Sequence, residues 1–140
     1  MAANTQPIFS NQGFLKWGAA ITAANAALDG TGTVTTIATG NAAGNASGNF
    51  IQKIIARPLG SNVASVARIF VNNGATNATA GNNALLIEAA LPASTLIPAG
   101  AMTGVEIPLN LVLPASYNIN AALGTAVSAG WIFTAIGGQY

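Results

Sequence analysis

The clearest pattern along the chain is the alternation of apolar and polar residues between Val105 and Leu113. Every second residue of this stretch is aliphatic, and Glu106, Pro108 and Asn110 lie between them. A period of two residues predicts a β-strand with one buried face. Because proline cannot donate a backbone hydrogen bond to a neighbouring strand, Pro108 is expected at a sheet edge or at a β-bulge.

Other β-rich stretches of similar length follow one another through the chain. They cover Thr33–Thr39, Phe50–Arg57, Val63–Val71, Ala84–Leu91, Tyr117–Leu123 and Thr125–Ile136. The last stretch is almost uniformly apolar, which is typical of a strand in the centre of a sheet. Its buried face is predicted to carry Val127, Ala129, Trp131 and Phe133.

The stretch from Phe50 to Asn73 contains two of these strands and three of the chain's four cations. Residues 58–62 between the strands have the sequence PLGSN, which is rich in turn-forming residues. The sequence therefore predicts a central β-hairpin here. Apolar residues occupy both faces of its second strand, so that strand is expected to be covered on both sides.

Residues 14–28 fit two different patterns. Leu15, Ala19, Thr22 and Ala26 have helical spacing, and the many alanines of the segment favour a helix. Trp17, Ala19 and Ile21 also alternate as they would in a strand. Because the following segments are β-rich, we favour a strand over Lys16–Thr22, with a helix as the alternative.

The order of these elements predicts the fold class. Seven or eight strands separated by turns, with no helical pattern between them, indicate an all-β fold, an antiparallel β-sandwich of jelly-roll-like type. We expect residues 14–140 to form a single domain. Residues 1–13 are predicted to be an N-terminal arm, which Pro7 keeps extended and in which Ile8 and Phe9 are available to contact a neighbouring subunit.

The composition is unusual for a globular domain. Charged residues make up 5% of the 140 residues, against roughly 25% in an ordinary domain, and 51% are hydrophobic. No apolar run reaches the roughly 18 residues of a membrane-spanning helix, so no membrane partner is expected. The net charge of +1 gives no basic surface for nucleic acid. A surface with so little charge indicates a protein that is covered by partners in an assembly.

The few charged side chains are expected to pair with one another. An isolated charge in so apolar a chain would be costly, so Arg57, Arg68, Glu88 and Glu106 are predicted to form structural ion pairs or hydrogen bonds, within or between subunits. Lys53 is a further cation available to them. A hydrolase that uses Glu88 and Glu106 as paired carboxylates is the enzymatic alternative.

The sequence contains neither cysteine nor histidine. Thiolate chemistry and the commonest general base and metal ligand are therefore missing, and we expect no enzymatic activity, cofactor or metal. Asp29, which precedes a glycine, is expected to stabilise its own turn. Trp17 and Trp131 suit either sugar stacking or a buried or interface position. The N-terminal residues lack the pattern of a secretory signal, which predicts synthesis in the cytoplasm.

Several segments of the chain together resemble small structural proteins of tailed bacteriophages. They are Trp17, AALDGTGTV (26–34), ARPLGSNVASVARIFVNNGATNATAGNN (56–83), EIPLNLVLPASYNINAALGTAV (106–127) and the terminal AIGGQY (135–140). The resemblance implies a non-enzymatic virion protein, specifically a head decoration or cement protein. Such a protein would be a homotrimer on the outer surface of the capsid, in contact with the major capsid protein. Pro7, Ile8 and Phe9 would be candidates for contacts with the capsid or with a neighbouring subunit.

Three alternatives come from other functional classes. A tail or fibre adhesin would bind host surface glycans and would place aromatic residues in loops rather than in strands. An ice-binding protein would suit the abundant Thr, Ala and Asn, but such proteins usually have a regular repeat, and the sequence has none of fixed period. A small hydrolase is the least favoured because His and Cys are missing.

Overall fold

The computed structural model describes Ser10, residues 12–40 and residues 48–140. These residues form eight β-strands and one short 3-10 helix, Ala80–Asn82. The strands are β1 (Gln12–Trp17), β2 (Thr35–Thr39), β3 (Asn49–Pro58), β4 (Ser65–Asn72), β5 (Asn83–Leu91), β6 (Val105–Leu113), β7 (Asn118–Leu123) and β8 (Trp131–Gln139). None of the described helical residues forms a helix long and apolar enough to cross a membrane.

The strands form two antiparallel four-stranded sheets. The first sheet has the order β1-β8-β3-β6 and the second the order β2-β7-β4-β5. The pairs β1·β8, β2·β7, β3·β6 and β4·β5 are therefore nested, from the two ends of the strand order to the consecutive strands in its middle. This is the pairing of a jelly roll, in which two Greek keys wrap into a sandwich. The predicted all-β antiparallel sandwich is confirmed.

The hydrophobic core lies between the two sheets. Its largest fully buried side chains include Trp131 and Phe133 of β8, together with isoleucines of β3 and β4. The aliphatic residues that alternate along β6 also contact this core, as their spacing predicted. The inner position of β8, between β1 and β3, agrees with its nearly uniform apolar sequence.

Pro108 was expected at a sheet edge or at a β-bulge, and both features are observed. Strand β6 is an edge strand, and its register with β3 shifts between Ile51 and Lys53. Asn110 lies in this irregular part of β6 and has a positive φ of 49°. Asparagine tolerates that conformation better than most residues, so the bulge suits the sequence found there.

The predicted central hairpin is wrong. Strand β3 belongs to the first sheet and β4 to the second, so residues 59–64 cross between the sheets. The turn residues correctly mark a change of direction, but they do not determine which strand pairs with which. Ile54 of β3 and Ile69 of β4 both belong to the inter-sheet core and reach it from opposite sides.

Strand β4 is covered on both sides, as expected. Phe70 is fully buried but does not belong to the inter-sheet core cluster, and Ala122, on the neighbouring strand β7, behaves in the same way. The segment that follows β1 covers this outer face, because the carbonyl of Asn25 accepts a hydrogen bond of 2.7 Å from Arg68.

The predicted strand over Lys16–Thr22 is wrong in its bounds, and the helix alternative is not observed. Strand β1 ends at Trp17, and Ile21 makes only an isolated bridge with Trp131. The reason lies at Gly18, where a Cβ atom would lie 2.6 Å from the carbonyl oxygen of Thr36. The backbone passes close to β2 at this point, as the chain leaves the first sheet for the second.

Two further bounds differ from the sequence prediction. The last strand begins at Trp131 rather than Thr125, because residues 124–130 form a connection that includes Gly130 with φ of 90°. Strand β1 begins at Gln12 and so includes Gln12 and Gly13, which the sequence placed in the N-terminal arm. Pro7, Ile8 and Phe9 of that arm lie outside the described residues.

Candidate interaction surfaces

The two glutamates lie on different sheets. Glu106 of β6 accepts a hydrogen bond of 3.0 Å from Lys53 Nζ, on the outer face of the first sheet. Glu88 of β5 accepts one of 2.9 Å from Arg68 Nε, on the outer face of the second sheet. The core of the sandwich separates these faces, and packed sheets lie about 10 Å apart. The two carboxylates therefore cannot act as a catalytic pair in this fold.

Arg68 has the most extensive contacts of the charged residues. Its side chain is 17% exposed, whereas that of Lys53 is 30% exposed. Besides Glu88, which lies directly opposite it on β5, it binds the carbonyl of Asn25. Arg68 thus holds the segment between β1 and β2 against the outer face of the second sheet.

Arg57 is exposed on β3, and no carboxylate within the described part of the chain forms an ion pair with it. Glu88 and Glu106 bind Arg68 and Lys53 instead. Asp29 instead accepts hydrogen bonds from the backbone N–H of Thr31 at 3.0 Å and from its hydroxyl at 2.6 Å. These bonds lower the pKa of Asp29, the side-chain bond contributing most. Arg57 is therefore a cation available to another molecule.

The outer face of the first sheet is apolar, and we call it the first-sheet face. Outward positions of a sandwich are usually polar. Here Leu15 and Trp17 of β1 are 56% and 62% exposed, and Val112 of β6 is 51% exposed. Between them lie the half-buried outward residues Phe50, Ile55, Ile132 and Ile136. The Lys53–Glu106 ion pair crosses this face, and Arg57 lies beside it.

A second apolar surface lies at one end of the sandwich, and we call it the loop end. It consists of residues 18–24 and of the connections 59–64, 92–104 and 124–130, all of them parts of connections between the two sheets. Four aliphatic side chains at this end are about half exposed: Leu59, Val63, Leu96 and Ile97. None of the four carries a charge, so the loop end offers apolar contact area without charged groups.

Hydrogen bonds of Asn62 link three of the connections that form the loop end. Its backbone N–H and carbonyl both bond to Ser94, each at 2.9 Å. Its buried side chain bonds to the backbone of Gly60, Ala129 and Gly130. The hydroxyl of Ser61 also accepts a bond from the backbone N–H of Leu96. The exposed aliphatic residues of this end are therefore held on a hydrogen-bonded frame.

A cleft of about 510 Å³ opens between the edge strands β1 and β2. Phe14 and Lys16 line one side, residues 36–40 the other, with Asn49 and Gln139 at its base. Lys16 is the one charged residue among the described residues that line the cleft, so these residues provide no acid–base pair for general catalysis. Among the described residues, no group of three or more acidic, histidine or cysteine side chains could hold a metal ion.

The sequence analysis missed both apolar surfaces. A signal for the first-sheet face was present, since apolar residues occupy successive positions in β3 and β8, as at Ile54-Ile55 and Ile132-Phe133. A strand with apolar groups in both phases has two faces to cover. For the loop end, the signal was the presence of Leu96 and Ile97 in a connection that otherwise consists mainly of small and turn-forming residues.

Comparisons with protein-family models, with curated proteins and with solved structures found no match for this chain.

Proposed function

We propose that the protein is a non-enzymatic structural protein of a bacteriophage virion that decorates the outer surface of the head. In this role it is a homotrimer that binds the major capsid protein and stabilises the capsid by bridging neighbouring subunits. The resemblance of several sequence segments to small phage virion proteins is the basis of this proposal. The jelly roll occurs in viral capsid proteins and also in lectins, so the fold alone does not decide the function.

The observation that carries the proposal is the loop end. A capsid-binding protein needs a surface that holds its shape before contact, since ordering loops on binding reduces affinity. Leu59, Val63, Leu96 and Ile97 provide uncharged contact area on the frame that Asn62 maintains. A modest contact of this kind becomes strong attachment when three copies bind together.

The arrangement of aromatic side chains favours decoration over the adhesin alternative. A glycan-binding adhesin would present aromatic rings from loops. At the loop end the exposed apolar side chains are aliphatic, and the exposed Trp17 belongs to strand β1. Tyr117, in the turn before β7, lies at the other end of the sandwich.

Electron cryomicroscopy of the virus particle tests the proposal directly. We expect many copies on the head, in clusters of three, with their loop ends towards the capsid. A few copies confined to the tail tip would overturn the proposal and support the adhesin. Isolated heads that lack the protein should bind it from solution.

A pair of variants tests the contact itself. Leu96→Ser combined with Ile97→Ser should weaken binding to such heads while leaving thermal unfolding nearly unchanged, because both side chains are exposed. Leu86→Ser is the matched control, since Leu86 is an exposed leucine on β5, away from the loop end. Equal binding by both variants would remove the loop end as the contact surface.

A further inference from the structure

Another residue of the chain covers the first-sheet face at Gly138. Gly138 lies in a row with Gly13, Phe50 and Val112, and this row faces outwards because Val112 is exposed. Gly138 is nevertheless buried. A Cβ atom on it would collide with the Cβ atom of Ser10 and would lie 2.7 Å from the Ser10 hydroxyl oxygen. Ser10 therefore lies on the first-sheet face and covers Gly138.

The position of Ser10 shows in which direction the chain enters β1. Gln12 is the first residue of β1 and pairs with Gln139, at the end of the sheet. If the chain were straight, Ser10 would lie beyond Gln139. It lies instead at the level of Gly138, which pairs with Gly13 inside the sheet. Ser10 is therefore not in line with β1, and it lies over the first-sheet face of its own subunit.

We propose that the residues before Ser10 pack across the first-sheet face of their own subunit, with Ile8 and Phe9 covering Leu15, Ile136 and Trp17. Residues 1–9 carry no charged side chain. Apart from Met1, the large apolar residues of this segment are Ile8 and Phe9. Nine extended residues reach at most about 30 Å. Thr134, which lies beside Trp17, is four residue steps along β8 from Gly138, a distance of about 14 Å.

A tethered segment is the occupant that the position of Ser10 favours. The connection through Ser10 gives the segment a high effective concentration at its own face, which the same segment of another copy lacks. The sequence alone suggested that Ile8 and Phe9 contact a neighbouring subunit. The place of Ser10 over its own subunit's face favours contact within one subunit instead, and this inference holds whether or not the protein decorates a capsid.

Trp17 provides the first test, because the chain has two tryptophans and the other is buried. In a Trp131→Phe background, the fluorescence of Trp17 is measured with the neutral quencher acrylamide. Combining Ile8→Ser with Phe9→Ser should shift the emission to longer wavelength and increase quenching. The control, Asn4→Ser with Gln6→Ser, alters polar residues of the same segment and should change neither. Circular dichroism verifies that all variants stay folded. Equal quenching in both variants would overturn the proposal.

The absence of native cysteine allows a second test that identifies which subunit provides the segment. Phe9→Cys combined with Ile136→Cys is oxidised at low protein concentration and analysed by non-reducing electrophoresis. A disulfide within one chain, formed equally over a hundredfold dilution, is the expected result. Disulfides between chains, or protection of Trp17 that disappears on dilution, would mean that a second copy covers the face and would overturn the proposal.

Discussion

Asn62 binds Gly130 through both ends of its side-chain amide. Its Nδ2 donates to the Gly130 carbonyl at 3.0 Å, and its Oδ1 accepts the Gly130 N–H at 3.0 Å. The same oxygen accepts the N–H of Ala129 at 2.8 Å. One buried side chain thus adds three hydrogen bonds to the backbone bond between these two connections, which runs from the Leu59 N–H to the Gly130 carbonyl at 3.0 Å.

Replacing Asn62 should therefore destabilise the whole domain. Asn62→Ala leaves buried backbone groups of Ala129 and Gly130 without partners, at a cost of about 3 kcal/mol in the free energy of unfolding. Denaturant unfolding measures this value. Asn73→Ala is the control, because Asn73 also bonds to a backbone N–H but is exposed, and it should cost less than about 1 kcal/mol. Similar losses in both variants would contradict the role of Asn62.

Trp131 should contribute to stability through its volume and not through its indole N–H. The ring is fully buried, and Nε1 has no hydrogen-bond partner in the described part of the chain. Trp131→Ala is expected to cost about 3–5 kcal/mol. Trp131→Phe should cost much less, since it removes an unsatisfied donor as well as volume. Leu86→Ala, on the surface of β5, should lie within about 0.5 kcal/mol of the wild type. Thermal unfolding of the three variants makes the comparison.

Gly137 and Gly13 should respond in opposite ways to alanine. A Cβ atom on Gly137 would collide with the carbonyl oxygen of Phe50, on the neighbouring strand β3. Gly137→Ala should thus separate β8 from β3 locally and cost about 3 kcal/mol or more. No atom lies within 4 Å of a Cβ placed on Gly13, so Gly13→Ala should be neutral or slightly stabilising. A stable Gly137→Ala protein would show that this approach is less close than described.

The two ion pairs should differ in strength. Arg68→Met removes a bond to Glu88 and a bond to the carbonyl of Asn25, and it should cost about 1–3 kcal/mol. Lys53→Met removes a more exposed pair and should change stability by no more than about 0.5 kcal/mol. Double-mutant cycles with Glu88→Gln and Glu106→Gln isolate each pair. Equal coupling energies in the two cycles would contradict the difference in burial.

The hydrogen-bonded turn at Asp29 should make the stability of the folded protein depend on pH in the acid range. The hydrogen bonds from Thr31 lower the pKa of Asp29 in the folded state. Its stabilising effect is thus fully present above the unfolded-state pKa of about 3.9 and is lost as the pH falls through the lower folded-state value. The difference in unfolding midpoint between wild type and Asp29→Asn should shrink below about pH 4. Thr31→Val, which removes the hydroxyl, should reproduce part of the effect. A difference that stays constant from pH 6 to pH 2 would refute it.

The strands could be predicted from the sequence, but their partners could not. The alternation in β6 indicates a buried face whether the neighbouring strand follows in the chain or lies far away. The hairpin assigned to residues 50–73 failed for that reason, since β3 pairs with β6 and β8. The contact of Arg68 with Glu88 likewise depends on their opposite positions on β4 and β5, which only the register reveals. The end of β1 depends on the close approach of Gly18 to β2, a tertiary contact with no local signal.

The pairing of β1 with β8 has a consequence for the way the protein is made. Strand β8, the last described strand, lies between β1 and β3 and joins them in one sheet. Until the ribosome has released residues 131–139, β1 has no neighbour in its sheet, and the apolar surface of β3 stays half covered. Contacts between such distant parts of a chain also form slowly. The nascent protein must therefore keep the apolar strands of its first sheet from aggregating until residues 131–139 have left the ribosome, with only seven charged side chains to help.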